Sequence, residues 1–233
     1  ALEQEGVHPL LARLLAARGV AQAQELDDGL GRLLPPSSLK GAQEAAQLLA
    51  RALEANQKMV VVADYDCDGA TACAVAVRGL RLLGAQHASY LVPDRVVDGY
   101  GLTPPIAERV KARGAEVLIT VDNGVAAVEA LERARALELE VILTDHHTLP
   151  EQLPPHLALL HPATTPVASP YRGLAGVGLA HVLAEALCRK LRRPDALALA
   201  LDLFCIGTIA DMAPLVGVNR RWLIDGLPRL GRS

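Results

Sequence analysis

Aromatic residues are scarce: one Trp, one Phe and four Tyr make up 3% of 233 residues. The core must therefore be assembled from Ala, Leu and Val, and a platform of rings for stacking bases is not expected. Cysteine is scarce as well. Cys67, Cys73, Cys188 and Cys205 form no C-x-x-C pair, so neither a zinc ribbon nor a disulfide framework is expected, and a reducing cytoplasm fits. An excess of positive charge is also missing: 23 Lys and Arg stand against 26 Asp and Glu, a net charge of −3. No electrostatic footprint for nucleic acid covers the whole surface. What basic character there is stays local, as in Arg189, Lys190, Arg192 and Arg193, a run whose plainer reading is a solvated helix end beside Pro194. No apolar run reaches membrane-spanning length, and the N-terminus lacks a basic-then-apolar signal pattern, so no membrane partner is expected.

What is present is a large apolar inventory. Hydrophobic residues make up 51% and charged residues 21%, enough for a sizeable core and too apolar for disorder. The length suits one large domain, or one domain with a helical extension. Leu10, Leu11, Leu14 and Leu15 recur at helical spacing, with Gly19 as a stop. Pro35, Pro36, Ser37 and Ser38 break the chain, and a helix follows from about Lys40 to Ala55 with Ala45, Leu48, Leu49, Ala52 and Leu53 on its apolar side.

Beyond residue 57 the pattern changes. Met59–Ala63 is apolar at every position, as a parallel strand covered on both faces must be. An Ala-rich helix closed at Gly84 follows. Strands are predicted at 88–92, 117–121 and 141–144, with helices near 106–113 and 125–137, and a fifth strand at 157–160. The stretch between Pro150 and Pro170 is Pro-rich, and after Leu174 the chain is helical again. The fold class is α/β: a mostly parallel sheet flanked by helices, with helical N-terminal and C-terminal segments. Residues 1–57 are expected as a helical extension packed on the core, and residues 58–233 as the α/β domain.

Ligands of open α/β sheets bind beyond the carboxyl ends of the strands. The first strand is followed by Asp64-Tyr65-Asp66-Cys67-Asp68-Gly69, the third by Asp122-Asn123-Gly124 and the fourth by Asp145-His146-His147. Each piece alone has a plain reading. Asp68 would be an N-cap, Asn123-Gly124 an ordinary turn, and a His beside an Asp nothing. Three such loops at one sheet edge are another matter. Two carboxylates 4 Å apart repel by about 4 kcal/mol at an effective dielectric near 20, so a cluster of them calls for a cation. Asp with one or two His suits Mn²⁺ or Mg²⁺, and two ions sharing a carboxylate would make a hydrolase site for phosphate esters. Gly69-Ala70-Thr71 starts a helix after the acidic loop and would offer backbone N–H groups to phosphate. Gly176-Val177-Gly178 opens a later helix and would allow close backbone approach, with tight helix packing as the plainer reading.

These motifs, in this order, resemble the DHH phosphoesterase superfamily, which takes its name from a sequence like Asp145-His146-His147. The acidic loop 64–69, the turn 122–124 and a later Asp211-Met212-Ala213-Pro214-Leu215 match the family's order. Within it, the branch of single-strand-specific 5′→3′ exonucleases fits best, through D-Y-D-x-D-G and through Pro93-Asp94-Arg95 with Gly99-Tyr100-Gly101.

The resemblance implies two ions, Mn²⁺ or Mg²⁺, with Asp64 and Asp66 serving one, Asp68, His146 and Asp211 the other, and Asp122 bridging them. Asp66, Asp122 and His147 would carry the chemistry, His147 positioning the scissile phosphate or assisting proton transfer. Arg95, Tyr100, Gly176 and Gly178 would contact substrate, loop packing being the alternative for the first two. Asp145 would orient a His ligand. The implied substrate is single-stranded DNA, degraded to mononucleotides in repair and recombination, and the implied place is the bacterial cytoplasm. A single-strand-binding protein or a helicase would be a partner. The family's second domain, with a Gly-rich motif carrying a His, and an OB-like domain are absent from this chain and would complete the cleft. Competing expectations are a hydrolase of short oligonucleotides, cyclic dinucleotides or pyrophosphate, and a non-catalytic scaffold.

Overall fold

A computed structural model describes residues 1–17, 20–23, 35–193 and 201–231. The expected stop at Gly19 and the Pro194 that borders the basic run lie outside the described residues. The chain divides into two compact units, Ala1–Leu33 and Leu34–Ser233. The first carries α1 (Pro9–Ala16), begun by Pro9 and capped by His8, whose Nδ1 accepts from the Leu10 N–H at 3.3 Å. Leu10, Leu11 and Leu14 of the predicted apolar stripe are exposed.

The second unit holds α2 (Ala42–Glu54), β1 (Met59–Ala63), α3 (Cys67–Leu82), β2 (Ala88–Leu91), α4 (Pro104–Ala112), β3 (Val117–Val121), α5 (Val128–Ala136), β4 (Glu140–Thr144), β5 (Ala158–Leu160), α6 (Gly176–Lys190), α7 (Leu201–Ala210) and α8 (Gly217–Leu230). The α2 helix, inside the predicted extension of residues 1–57, belongs to the same unit as the sheet. All five strands are parallel, in the order β2-β1-β3-β4-β5. The β1 and β3 strands are buried at every position, as strands covered on both faces must be. One face packs Val60, Val62, Leu118, Val141 and Leu143 against Ile106, Val110, Leu131 and Ala134 of α4 and α5. On the other, α3 packs against α6 and α7, and α6 against α2. Here Gly79 of α3 lets Ala184 of α6 approach within 3.3 Å of where a Cβ would stand.

The strand order reverses at β1, which has β2 on one side and β3 on the other. Ligand sites of doubly wound sheets lie beyond the strands' carboxyl ends at such a reversal. Ala63 pairs with Val121, and Val121 with Thr144. The residues that follow them, Asp64, Asp122 and Asp145, therefore stand in one row across the sheet. The ladder runs one step further to hold them there: the N–H of Asp64 reaches the Val121 carbonyl at 3.4 Å, that of Asp122 the Thr144 carbonyl at 3.0 Å and that of Asp145 the Leu160 carbonyl at 3.2 Å. Among the described residues no helix is long and apolar enough to cross a membrane.

Candidate metal centre

The acidic loop after β1 turns sharply into α3. The helix is capped by Asp66, whose Oδ1 accepts from the Gly69 N–H at 2.8 Å. Position 69 must be Gly, because a Cβ there would sit 2.6 Å from the Asp64 carbonyl oxygen. The N–H expected to meet phosphate at Gly69 is thus already engaged. Asp68, read from the sequence as a cap of its own helix, is instead buried and reaches another one. Its Oδ2 accepts from Gly176 N–H at 2.6 Å and its Oδ1 from Val177 N–H at 2.9 Å, at the start of α6. The reason is directional. Asp66 already occupies the cap of α3, while the free N–H groups and positive dipole end of α6 face Asp68.

The same contact changes the reading of Gly176 and Gly178. Both are buried. The close backbone approach that they allow is to this chain: a Cβ at 176 would meet the Asp122 Cβ at 2.6 Å, and one at 178 the Leu174 side chain at 2.7 Å.

Asp122 closes β3 with φ at 63°, in the left-handed region where a residue with a Cβ is strained. Its neighbour Asn123 ties the strand ends together, donating from Nδ2 to the Val121 carbonyl at 2.9 Å and the Val62 carbonyl at 3.2 Å. The bend delivers the buried Asp122 carboxylate between the two neighbouring loops. Its Oδ1 lies 3.0 Å from His146 Nε2 yet has no hydrogen-bond partner among the described residues. That separation also matches cis ligands of one octahedral ion, about 3 Å apart when each bond is about 2.1 Å.

Three groups of side chains each bring ligand atoms within 4.8 Å of one another: Asp64, Asp66 and Asp122; Asp68, His146 and Asp211; and Asp122, His146 and His147. All six residues expected to bind metal are therefore brought together, and Asp122 faces both halves. The donors are carboxylate oxygens and imidazole nitrogens, a set for Mn²⁺ or Mg²⁺ and not for a soft ion. The protonation equilibria carry the strain of this crowding. Burial raises Asp64, Asp68 and Asp211 above the ordinary carboxylate range. It pushes Asp122 up to about 7, with Asp68 and Asp66 adding to the rise and His146 opposing it. For His146, burial works against the cation, but Asp122 and Asp211 outweigh it and raise its pKa.

Asp145 serves His147, not His146. Its Oδ1 accepts from the His147 ring Nδ1 at 2.7 Å and from the N–H groups of His146 and His147, and its Oδ2 from the Val125 N–H at 2.9 Å. Burial favours the neutral acid, but these bonds prevail and hold Asp145 below the usual carboxylate range. The bond to Asp145 pushes His147 up to about 9. The other ring nitrogen, Nε2, lies 3.3 Å from the Tyr100 hydroxyl. Tyr100 packs edge-on against Tyr65, and Arg95 lies over the Tyr65 ring at 5.3 Å. Arg95 and Tyr100, both exposed, thus line the rim beside Asp64 and His147.

Two residues not anticipated from the sequence join the site. His161 is buried, and its Nε2 donates to the His147 carbonyl at 2.7 Å while its Nδ1 accepts from the Ala163 N–H at 3.0 Å. Arg172 clamps the turn that follows. Neither carries a local motif; the Pro-rich composition around them is the only sign of an ordered loop.

The DHH family, N-terminal domain, matches residues 58–208. The single-stranded-DNA-specific exonuclease RecJ of Salmonella typhimurium is 41% identical over 232 residues, 95% of this chain and 40% of that protein. A crystal structure of exonuclease RecJ bound to manganese superposes with a TM-score of 0.78 at 39% identity, covering 86% of this chain and 51% of that one. RecJ of Thermus thermophilus in complex with Mn²⁺ gives a TM-score of 0.74 at 36% identity, covering 94% of this chain and 31% of that one. The chain thus spans well under two thirds of the relatives that it matches.

Proposed function

The chain belongs to the DHH family, and from that premise we propose that it is the metal-bearing part of a 5′→3′ exonuclease that degrades single-stranded DNA to mononucleotides. The observation that carries this is the pair of triads, Asp64–Asp66–Asp122 and Asp68–His146–Asp211, set at the reversal of strand order with Asp122 facing both. A binding module has no use for buried like charges gathered at one point. The RecJ proteins to which the chain is similar supply the substrate class, and their manganese complexes the ion.

In this reading Asp64 and Asp66 would hold one Mn²⁺ or Mg²⁺, Asp68, His146 and Asp211 would hold the other, and Asp122 would serve both. The bound ions would supply an activated water and charge stabilisation at phosphorus. The chain's own residues do the rest. The strained backbone of Asp122 presets its carboxylate between the triads. Asp145 fixes the His147 ring so that Nε2 faces the rim, where it positions the scissile phosphate or exchanges a proton with it. Arg95, braced on Tyr65, and Tyr100 receive the strand from the side of Asp64. The remainder of the strand is held by further domains of the whole protein. A single-strand-binding protein or helicase is the matching partner class, and four cysteines free of disulfides suit a cytoplasmic setting.

The test is digestion by the whole protein in Mn²⁺ of 5′-labelled single strand, duplex, dinucleotide and pyrophosphate. Release of mononucleotides from the single strand alone is expected. Preferential hydrolysis of the dinucleotide or pyrophosphate would replace this reading with that of a small-substrate phosphoesterase.

A further inference from the structure

The turn that carries Arg95 has no apolar anchor at its tip. Val96 and Val97 there are 93% and 79% exposed, so hydrophobic contact does not fix it. Hydrogen bonds do. Asp94 Oδ1 accepts from the N–H groups of Val96 at 2.8 Å and Val97 at 3.1 Å, and the Asp94 carbonyl from the Asp98 N–H at 2.7 Å. Asp98 Oδ2 closes the turn by accepting from the Asp94 N–H at 2.8 Å. The same oxygen accepts from Nη2 of Arg109, on α4, at 2.7 Å. These two donors, the Asp94 N–H first, hold Asp98 below the usual carboxylate range. Arg109 rises from a fixed base, because its neighbours Ile106, Ala107 and Val110 are fully buried. Among the described residues no other side chain outside the loop hydrogen-bonds residues 94–98. The Asp98–Arg109 pair is thus the polar link between this turn and the body of the domain.

We propose that Arg109 is a positioning residue: acting through Asp98, it fixes the turn that holds Arg95 over Tyr65 and leads into Tyr100 beside His147. The inference rests on the function proposed above. Arg95 lies 5.3 Å from the Tyr65 ring, and the Tyr100 hydroxyl 3.3 Å from His147 Nε2. A turn released from Arg109 keeps its internal bonds and loses its orientation, so both rim side chains must be ordered again each time a strand arrives. The residues of the two triads all lie outside the turn. The loss therefore falls on capture of the strand and not on cleavage of one already seated. A rival role for Arg109 is direct contact with the strand. It is 47% exposed and borders an open cavity of about 580 Å³ together with Tyr90 and Arg113. The two roles differ in sign at Asp98. A direct contact gains when the competing carboxylate is removed, whereas a positioning residue has nothing to act through without it.

The test is steady-state digestion of a 5′-labelled single strand by the whole protein in Mn²⁺. Arg109→Gln is expected to raise KM about fivefold and to leave kcat within about twofold. Asp98→Asn should raise KM by about the same factor. The double variant should lie within about twofold of either single one, because all three remove one link. In an Arg95→Gln background, Arg109→Gln should likewise add less than about twofold. Arg109→Lys keeps a charged donor for Asp98 and should stand closer to wild type than Arg109→Gln does. This comparison decides where Asp98→Asn fails to fold, and a KM as high as that of Arg109→Gln then overturns the role. An unchanged KM in Arg109→Gln, a lowered KM in Asp98→Asn, factors that multiply in the double variant, or a kcat that falls as far as KM rises also overturns it, and each leaves the exonuclease standing. A whole protein that digests no single strand in Mn²⁺ overturns both.

Discussion

The carboxylate cluster and the packing around His181 both bury titratable side chains, and they do so by opposite means. His181 of α6 lies 4.8 Å from the Trp222 ring and 6.0 Å from Phe204. Burial pushes its pKa down to about 4, and the ring is simply neutral. In the cluster the same force acts on Asp64, Asp68, Asp122 and Asp211, all raised by burial. Neutrality is no solution there, because the groups converge on shared points with Asp122 Oδ1 left unpartnered. One buried titratable group can shed its charge. Several that face each other around one point are arranged for a cation.

The comparison breaks most visibly at Asp122. Outer-sphere partners of metal ligands are alone worth roughly 10–100-fold in affinity or activity, so Asp122→Ala is expected to cost at least that in digestion of a single strand. The metal-free thermal midpoint should hold or rise as repulsion is relieved. A variant that keeps more than about a tenth of the wild-type rate would remove Asp122 from its shared position.

Next in size is the response to the ion itself. Mn²⁺ at a hundred times its dissociation constant is expected to raise the midpoint of this chain by roughly 5–10 °C, with EDTA as the control. An unchanged midpoint at millimolar Mn²⁺ would show that the cluster is not a preformed site.

The neutral region has its own signature. The folded pKa of His181, about 4, lies below the ordinary histidine value of 6.5. The unfolded chain therefore takes up this proton first as the pH falls. The stability that neutral His181 contributes is complete above about pH 6.5 and is lost progressively toward pH 4, by about 3 kcal/mol in all. His181→Phe should flatten the urea stability profile over that interval by this amount, and parallel profiles would show that the ring is hydrated or paired.

Outside both regions charge matters least. Arg189, 57% exposed, pairs with Glu185 at 2.7 Å one turn earlier on α6. Glu185→Gln is expected to cost no more than about 0.5 kcal/mol, and less in high salt.

Much of the frame was legible because its periods are local. The predicted bounds of β1 and β3 match the structure, since a strand apolar on both faces leaves no doubt about which residues it contains. The predicted helix 125–137 begins later, at Val128: the chain first makes a turn in which the Ala127 N–H bonds the Gly124 carbonyl, and Asp145 takes the Val125 N–H. The acidic and His residues after β1, β3 and β4 could be singled out because strand ends in parallel sheets collect them, whereas Asp211, after α7, was expected only from the family resemblance. Their partners could not. Asp68 looks like a cap to anyone reading nearby residues, and nothing local says that the N–H donors it accepts from begin 108 residues away at Gly176. His161 and Arg172 escaped for the same reason: their roles are set by backbone carbonyls that no motif marks.

The bond from Asp68 to α6 has a thermodynamic consequence. In the proposed metal centre, a carboxylate that anchors the first turn of a helix and would also hold an ion cannot alter one relationship without altering the other. Filling the metal centre and seating α6 are therefore two readings of a single equilibrium. Any force that pries α6 from the sheet acts as a chelator, and any chelator loosens α6. Amide protons at Gly176 and Val177, remote in sequence from every strand-end residue, are therefore expected to exchange more slowly in Mn²⁺ than in EDTA.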